Sequence, residues 1–160
     1  MMKNIIALIL LCGMAMGQQA PPTAPAAALP DISGMYSFLH DGEFVEVDVD
    51  AGNVSGFISR YGDKESDRGA FLDQMFTKAT FDGKNLSFTT REVHGVTYSF
   101  QGKVLRGDAK VPLGGEGYWV LKGTLTETTM EPPKKTSSRE RAVEFKSFPS
   151  DAQWGGAKRD

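Results

Sequence analysis

The segment EFVEVDVDAGNVSGFISRY, residues 43–61, determines the expected fold of this 160-residue chain. Valines alternate with acidic residues from Val45 onward, a period of two that is typical of a strand with one buried face. The turn residues Gly52 and Asn53 suit the positive φ angles of a tight hairpin. The strand-like run after them carries Gly56, and an interior glycine often marks a bulge or bend of a sheet. We therefore predict an antiparallel β-hairpin here.

The rest of the chain from residue 31 onward repeats this alternation between turn signals such as Asp41-Gly42. The alternating segments are GMYSFLH, QMFTKATF, NLSFTTREV, VTYSFQGKVLR, GYWVLKGTLTETT and RAVEFKSF. One short helical turn is predicted within DRGAFLDQM, residues 67–75. The pattern predicts an all-β fold, an antiparallel meander of about eight strands, and eight strands are enough to close into a barrel. A β-sandwich of two sheets is the alternative.

The first strands of the meander also resemble a known group of barrels. ISGMYSF, residues 32–38, is similar to the Gly-x-Trp opening of the calycins, which include the lipocalin and avidin-type barrels, with Tyr36 at the position where tryptophan is usual. The layout of VDVDAGNVSGFISRY resembles the second hairpin of avidin-like barrels. The resemblance is confined to the first three strands. It implies a calycin-like barrel and carries no binding residues over to this chain.

The first 17 residues have the three parts of a secretory signal peptide. Lys3 precedes the apolar run 5–12, and Ala15-Met16-Gly17 supplies the small residues that signal peptidase requires. The apolar run is shorter than the roughly 20 residues that cross a bilayer. We therefore expect cleavage after Gly17 and export to the periplasm or the extracellular space, with no transmembrane span. Lipid attachment at Cys12 is the alternative.

The segment 18–30, QQAPPTAPAAALP, is rich in alanine and proline and predicts an extended tether. We expect the β-barrel domain at residues 31–148 and a flexible C-terminal tail at 149–160. The chain has a net charge of −2 and a single cysteine, Cys12. This balance does not resemble the basic surface of a nucleic-acid-binding protein, so no nucleic-acid partner is expected. After cleavage at Gly17 the chain would have no disulfide and no thiolate metal site.

Three segments contain residue types that carry out chemistry. His94 directly precedes Gly95, which favours a hairpin turn over a catalytic base, because histidine tolerates a left-handed backbone better than most residues do. His40 lies in HDGE, where Asp41-Gly42 predicts another turn; a metal site is the alternative.

The third segment, GDKESDRG at residues 62–69, spaces three carboxylates alternately and suggests a calcium loop. Counted from Asp63, however, Arg68 stands where an EF-hand loop has glycine and Gln74 where it has glutamate. A solvated loop is therefore the preferred interpretation. We predict no catalytic residue, no metal site and no cofactor.

Large aromatic residues are the remaining candidates for a site. Eight of them fall on the alternating segments, and in a sheet protein such residues form the core first and line a ligand cavity second. We take four as candidate ligand-binding residues: Tyr36, Phe57, Tyr98 and Trp119.

These patterns favour an exported, non-enzymatic β-barrel that binds a small apolar ligand or an extended partner chain. The alternative is an envelope-associated structural or interaction module, or an inhibitor of a secreted enzyme, that uses the loops GDKESDRGAF and EPPKKTSSR. An unrecognised hydrolase or isomerase is a third hypothesis. An open interior lined by rings would support ligand binding, whereas a filled interior would support the interaction module.

Overall fold

The structure, a computed structural model, describes residues 29–62, 65–131 and 135–150. Eight strands form one antiparallel sheet in which their spatial order follows the sequence. They are β1 (Gly34–Ser37), β2 (Phe44–Asp50), β3 (Asn53–Tyr61), β4 (Phe71–Phe81), β5 (Asn85–Thr90), β6 (Val96–Arg106), β7 (Trp119–Glu131) and β8 (Lys135–Lys146). A 3₁₀ turn at Glu65–Asp67 is the helical element of the described ranges, and none of these ranges contains a helix long and apolar enough to span a bilayer. The predicted all-β meander is confirmed.

The sheet curls strongly, so that its first and last strands meet. Tyr36 of β1 forms a bridge with Ser147, just after β8. The backbone N–H of Phe148 donates to the carbonyl of Met35 at 2.8 Å. Because β1 has four residues and β8 has twelve, the two edges meet over a short distance only. The architecture is a half-barrel compatible with a calycin-like barrel, and the eight strands lie in one sheet rather than in the two sheets of a sandwich.

The alternation read from the sequence corresponds to the two faces of the sheet. Val45 and Val47 of β2 are buried, while Asp48 and Asp50 are exposed. In β6 the inward residues are buried as predicted, and Phe100 is fully buried. Each buried aliphatic or aromatic side chain stabilises the fold by roughly 1.5–3 kcal/mol. The hydrophobic core therefore lies on the concave face of the curled sheet.

The β2–β3 hairpin turns one residue earlier than expected. Its positive φ angles are at Ala51 (48°) and Gly52 (84°), and Asp50 pairs with Asn53 across the turn. This is the backbone of a two-residue hairpin loop with both central residues left-handed. The assignment of a positive φ to Asn53 is therefore wrong.

The helical turn predicted within residues 67–75 is wrong from Phe71 onward, because β4 begins there. Residues Phe71, Asp73 and Met75 point outward, and Leu72 and Gln74 point inward. The outward positions are partly apolar and one inward position is a glutamine, so the period of two is hidden in the sequence. Pairing with β3 forms the strand in spite of this.

The predicted loop EPPKKTSSR is wrong from Lys135 onward, because these residues form the first part of β8. Ser138 pairs with Thr128, and Thr136 with Met130. Residues 136–140 are exposed on both faces, so no apolar alternation marks the strand. Backbone pairing to β7 extends β8 where the side chains have nothing to bury.

Several sequence predictions lie outside the described residues. These are the signal peptide at 1–17, the tether up to residue 28, Asp63 of the acidic loop, and the tail from residue 151.

Candidate functional site

The four predicted ligand-binding residues do not lie together. Tyr36 is 1% exposed, and its hydroxyl donates to the carbonyl of Ile32 at 2.6 Å. Burial, with a smaller effect of the Asp31 charge, raises the pKa of Tyr36 well above its usual range. Tyr98 is also buried in the core, edge-on to Phe38. Both are core residues in contact with protein on all sides.

Phe57 and Trp119 lie elsewhere. Phe57 is half-buried and pairs across the strands with Glu46 and Met75 on the outer face, beside the ring of Phe44 at 5.8 Å. Trp119 begins β7 at the edge of the core and lines an open groove. Of the four residues, Trp119 alone lines this groove.

The interior of the half-barrel is filled by a continuous chain of aromatic rings. Phe88 stacks on Phe76 at 4.3 Å and on Phe100 at 5.3 Å between ring centroids. Phe100 contacts Phe145 at 5.9 Å, and Phe145 contacts Phe38 at 5.3 Å. Tyr98 completes the series at 5.4 Å from Phe38. Six rings thus pack against one another across the concave side of the curled sheet.

One residue of β4 allows this arrangement. The register shifts between Phe76 and Lys78, so that Thr77 is an extra residue of the strand. Such a bulge lets two residues that are three positions apart face the same side of a sheet. Phe76 and Ala79 therefore both pack against the core.

A groove of about 560 Å³ opens on the surface where β1 and β8 meet. One side is formed by β1 and β2, and the other by the loop between β6 and β7 together with Trp119. The C-terminal segment after β8 connects the two sides: Phe148 N–H donates to Met35, and Ser150 N–H donates to Gly114. Leu113, 76% exposed, is the most exposed apolar side chain of the groove.

Hydrogen bonds fix the Trp119 side of the groove. The indole Nε1 donates to the carbonyl of Asp31 at 2.9 Å, and the backbone N–H donates to Ser147 Oγ at 3.1 Å. The ring lies edge-on to Tyr118, with centroids 5.1 Å apart. Trp119 thus links the chain before β1 to the start of β7, and its indole is held in one orientation.

Arg106 shapes the loop that forms the far side. Its guanidinium lies 3.7 Å from the centroid of the Tyr118 ring, a cation–π contact. The same group donates to the carbonyls of Asp108, Val111 and Tyr118. Because one side chain satisfies three loop carbonyls, the loop can present Leu113 and Tyr118 without regular secondary structure of its own.

Three carboxylates, those of Asp31, Glu46 and Asp48, also line the groove. Glu46 pairs with Met35 across β1 and β2, and Asp48 follows on the same outer face. The ion pairs formed by described residues involve other carboxylates. The groove therefore combines exposed apolar side chains with negative charge that is not neutralised by an ion pair within the described chain.

The sequence alone does not predict this groove. Its residues come from four separate segments, and they become neighbours only when the sheet curls. Leu113 was the one local signal, since it is an apolar residue in the turn-rich run KVPLGGEGY. The alternation in β2 does predict that Glu46, Asp48 and Asp50 lie on the face opposite the buried valines, but it does not predict that Glu46 and Asp48 line a groove.

The prediction that His94 occupies a turn is confirmed. The φ angles are 53° at His94 and 83° at Gly95, and Val93 bridges to Val96. His94 Nδ1 also lies 2.6 Å from Oδ2 of Asp67, a carboxylate 27 positions earlier that the sequence did not connect with it. The pair holds the 3₁₀ turn to the β5–β6 hairpin, at the opposite end of β6 from the groove.

His40 lies in a turn too, as predicted, with its N–H donating to Glu43 Oε2 at 3.1 Å. In the acidic loop Glu65 pairs with Arg68, and Asp67 accepts from Ser66. No group of three or more His, Cys, Asp or Glu side chains suited to holding a metal ion occurs within the described ranges.

A buried polar cluster, Arg60 with Gln74, lies at the same end of the sheet as His94. Gln74 is fully buried, accepts from Arg60 Nε at 3.4 Å and donates to the carbonyl of Val96 at 2.8 Å. Arg60 also donates to the carbonyl of Tyr61. These bonds connect β3, β4 and β6 where the apolar core ends, which is a structural role that buried polar groups commonly have.

The chain matches no protein-family model, no curated protein and no solved structure. The architecture is compatible with a calycin-like barrel, and a function has to be inferred from the filled interior and the surface groove.

Proposed function

We propose that this protein is an exported, non-enzymatic binding module that holds an extended segment of a partner polypeptide in the surface groove. The observation that carries the proposal is the chain of six rings through the interior, together with the exposed apolar side chains in the groove where β1 meets the end of β8.

The lining of the groove favours a polypeptide over a small apolar molecule. Sites for small apolar ligands bury most of the ligand surface and use few polar groups. This groove is open to solvent, and carboxylates and serine hydroxyls stand beside Leu113, Met35 and Phe148. An extended peptide carries polar backbone groups as well as side chains, so it suits such a mixed surface.

The position of the reactive side chains supports binding rather than catalysis. The His94–Asp67 pair lies at the other end of β6 from the groove loop. The described lining of the groove offers serine hydroxyls but no histidine or lysine to activate them. Export remains the expectation from the signal-like N-terminus.

Selection of phage-displayed random peptides on the purified protein tests this function. Selected peptides should bind wild type, and Leu113→Asp should weaken their binding by roughly tenfold or more, the equivalent of about 1.4 kcal/mol. Met75→Asp is the matched control, because Met75 is an exposed apolar residue that does not line the groove.

Equal binding to both variants would place the partner elsewhere on the molecule. A screen in which lipids or other small apolar compounds raise the melting temperature, and peptides do not, would instead support the small-ligand function.

A further inference from the structure

We infer that the partner segment presents a lysine or arginine side chain, with its cation among Asp31, Glu46 and Asp48 and its aliphatic stem against the exposed apolar side chains of the groove. This inference rests on the proposed function, because it names the chemistry of the chain that the same groove binds.

The exposed apolar side chains of the groove can contact the aliphatic stem of a lysine or arginine. Met35 is 43% exposed, Leu113 76% and Phe148 38%, and all three line the groove. Long basic side chains lay their methylene groups along apolar surface while the charged end remains near water or a carboxylate. A purely aliphatic side chain would use these contacts but leave the carboxylates uncompensated.

The carboxylates of the groove can attract the cationic group at the end of that stem. Glu46 and Asp48 lie two positions apart on the outer face of β2, and Glu46 is opposite Met35, so charge and apolar surface are adjacent. Asp31 lies just before β1, where its carbonyl accepts from the Trp119 indole and its Oδ1 accepts from Ser33 N–H. A cation placed here meets negative charge from β2 and from the chain just before β1.

No lysine or arginine is among the described residues that line the groove. Arg106, at the base of the loop, is bound to three loop carbonyls and to the Tyr118 ring. Lys122 pairs with Glu144 on the outer face of β7 and β8. Charge complementarity thus selects a basic occupant over an acidic or neutral one.

A one-position peptide series tests the inference. The probe is Ac-Thr-Val-X-Val-Thr-NH₂ with X as lysine, arginine, norleucine or glutamate, titrated while the NMR signal of the Trp119 indole N–H is followed. Lysine and arginine peptides should bind roughly tenfold more tightly than norleucine, and weaken as salt rises, since exposed charge pairs are screened.

The preference should disappear in the triple variant Asp31→Asn, Glu46→Gln, Asp48→Asn. The matched control is Glu65→Gln, Glu92→Gln, Glu140→Gln, which removes the same charge from exposed positions outside the groove and should keep the preference. Retained folding of both variants is checked by their NMR spectra.

Three outcomes would overturn the inference in different ways. Equal binding of the norleucine and lysine peptides would show that the groove binds peptides without preferring a cationic side chain. No shift of the Trp119 signal with any peptide, while the phage-selected peptides bind elsewhere, would refute the proposed function itself. If basic peptides bind only after Trp154, Lys158 and Arg159 are replaced by serine, the occupant is this chain's own C-terminal segment rather than a partner.

Discussion

Truncation of Phe100 tests whether the interior is closed to ligands. Phe100 is fully buried and lies between Phe88 and Phe145 in the ring chain. Phe100→Ala loses about 2 kcal/mol of transfer free energy. It also leaves a cavity of roughly 80 Å³, which costs about 2 kcal/mol more. We expect a total loss of about 4 kcal/mol, a large part of the stability of a small domain.

Urea denaturation of wild type and Phe100→Ala measures this loss, and Phe57→Ala is the matched control. Phe57 is half-buried on the outer face, so its truncation should cost about 1–2 kcal/mol. Xenon should raise the melting temperature of Phe100→Ala, because a dry apolar cavity of this size can hold a xenon atom, and should leave wild type unchanged.

A loss below about 1.5 kcal/mol for Phe100→Ala with an unchanged m value would show that the ring has open space beside it. Stabilisation of wild type by xenon would lead to the same conclusion. Either result would contradict a filled interior and would favour binding of a small apolar ligand inside the half-barrel.

Trp119→Phe should cost about 1 kcal/mol through the lost bond to Asp31, and Trp119→Ala about 2–3 kcal/mol; urea midpoints equal to wild type would contradict the placement of Trp119. Hydrogen bonds from Asn85 and from the backbone lower the pKa of Asp82 to about 2. Its contribution to stability should therefore be complete above an unfolded-state pKa near 3.9 and be lost as the pH falls through about 2. A pKa near 4 for the Asp82 carboxyl in an NMR titration would contradict this prediction. His94→Ala should lower the free energy of unfolding by about 1 kcal/mol, as measured by thermal unfolding, and leave peptide binding unchanged in a titration. Loss of peptide binding in a folded variant would indicate that the peptide binds near His94 and Asp67 instead. Mass spectrometry of the exported form should find Gln18 at the N-terminus, and a lipid-modified Cys12 peptide would contradict cleavage after Gly17.

The sequence predicted most of the fold where one face of a strand is exposed to solvent and the other is buried. The strand assignments for β2, β3 and β6 are confirmed because valines and aromatics alternate there with polar residues. The start of β4 was wrong because Phe71 and Met75 are exposed, and the first part of β8 was wrong because neither of its faces is buried. In both places the neighbouring strand, not the local pattern, forms the structure.

The candidate site was less predictable than the fold. Trp119 was identified as an aromatic residue of a strand, but its partner Asp31 lies 88 positions away. Leu113 and Phe148 belong to irregular segments whose contacts depend on the closure of β1 against the end of β8. Periodicity describes neighbours along one strand, so it cannot bring together four distant segments.

The meeting of β1 with the end of β8 has a consequence for how the groove is oriented. Asp31 and Ser150, near the two ends of the described chain, both line the groove. The chain therefore enters and leaves the described fold beside the groove, so a membrane or resin attached through a short flanking segment would lie on the groove side of the molecule. The His94 turn lies at the far end of β6, roughly 35 Å away along an eleven-residue strand. A label or immobilising group placed there would leave the groove facing the solution.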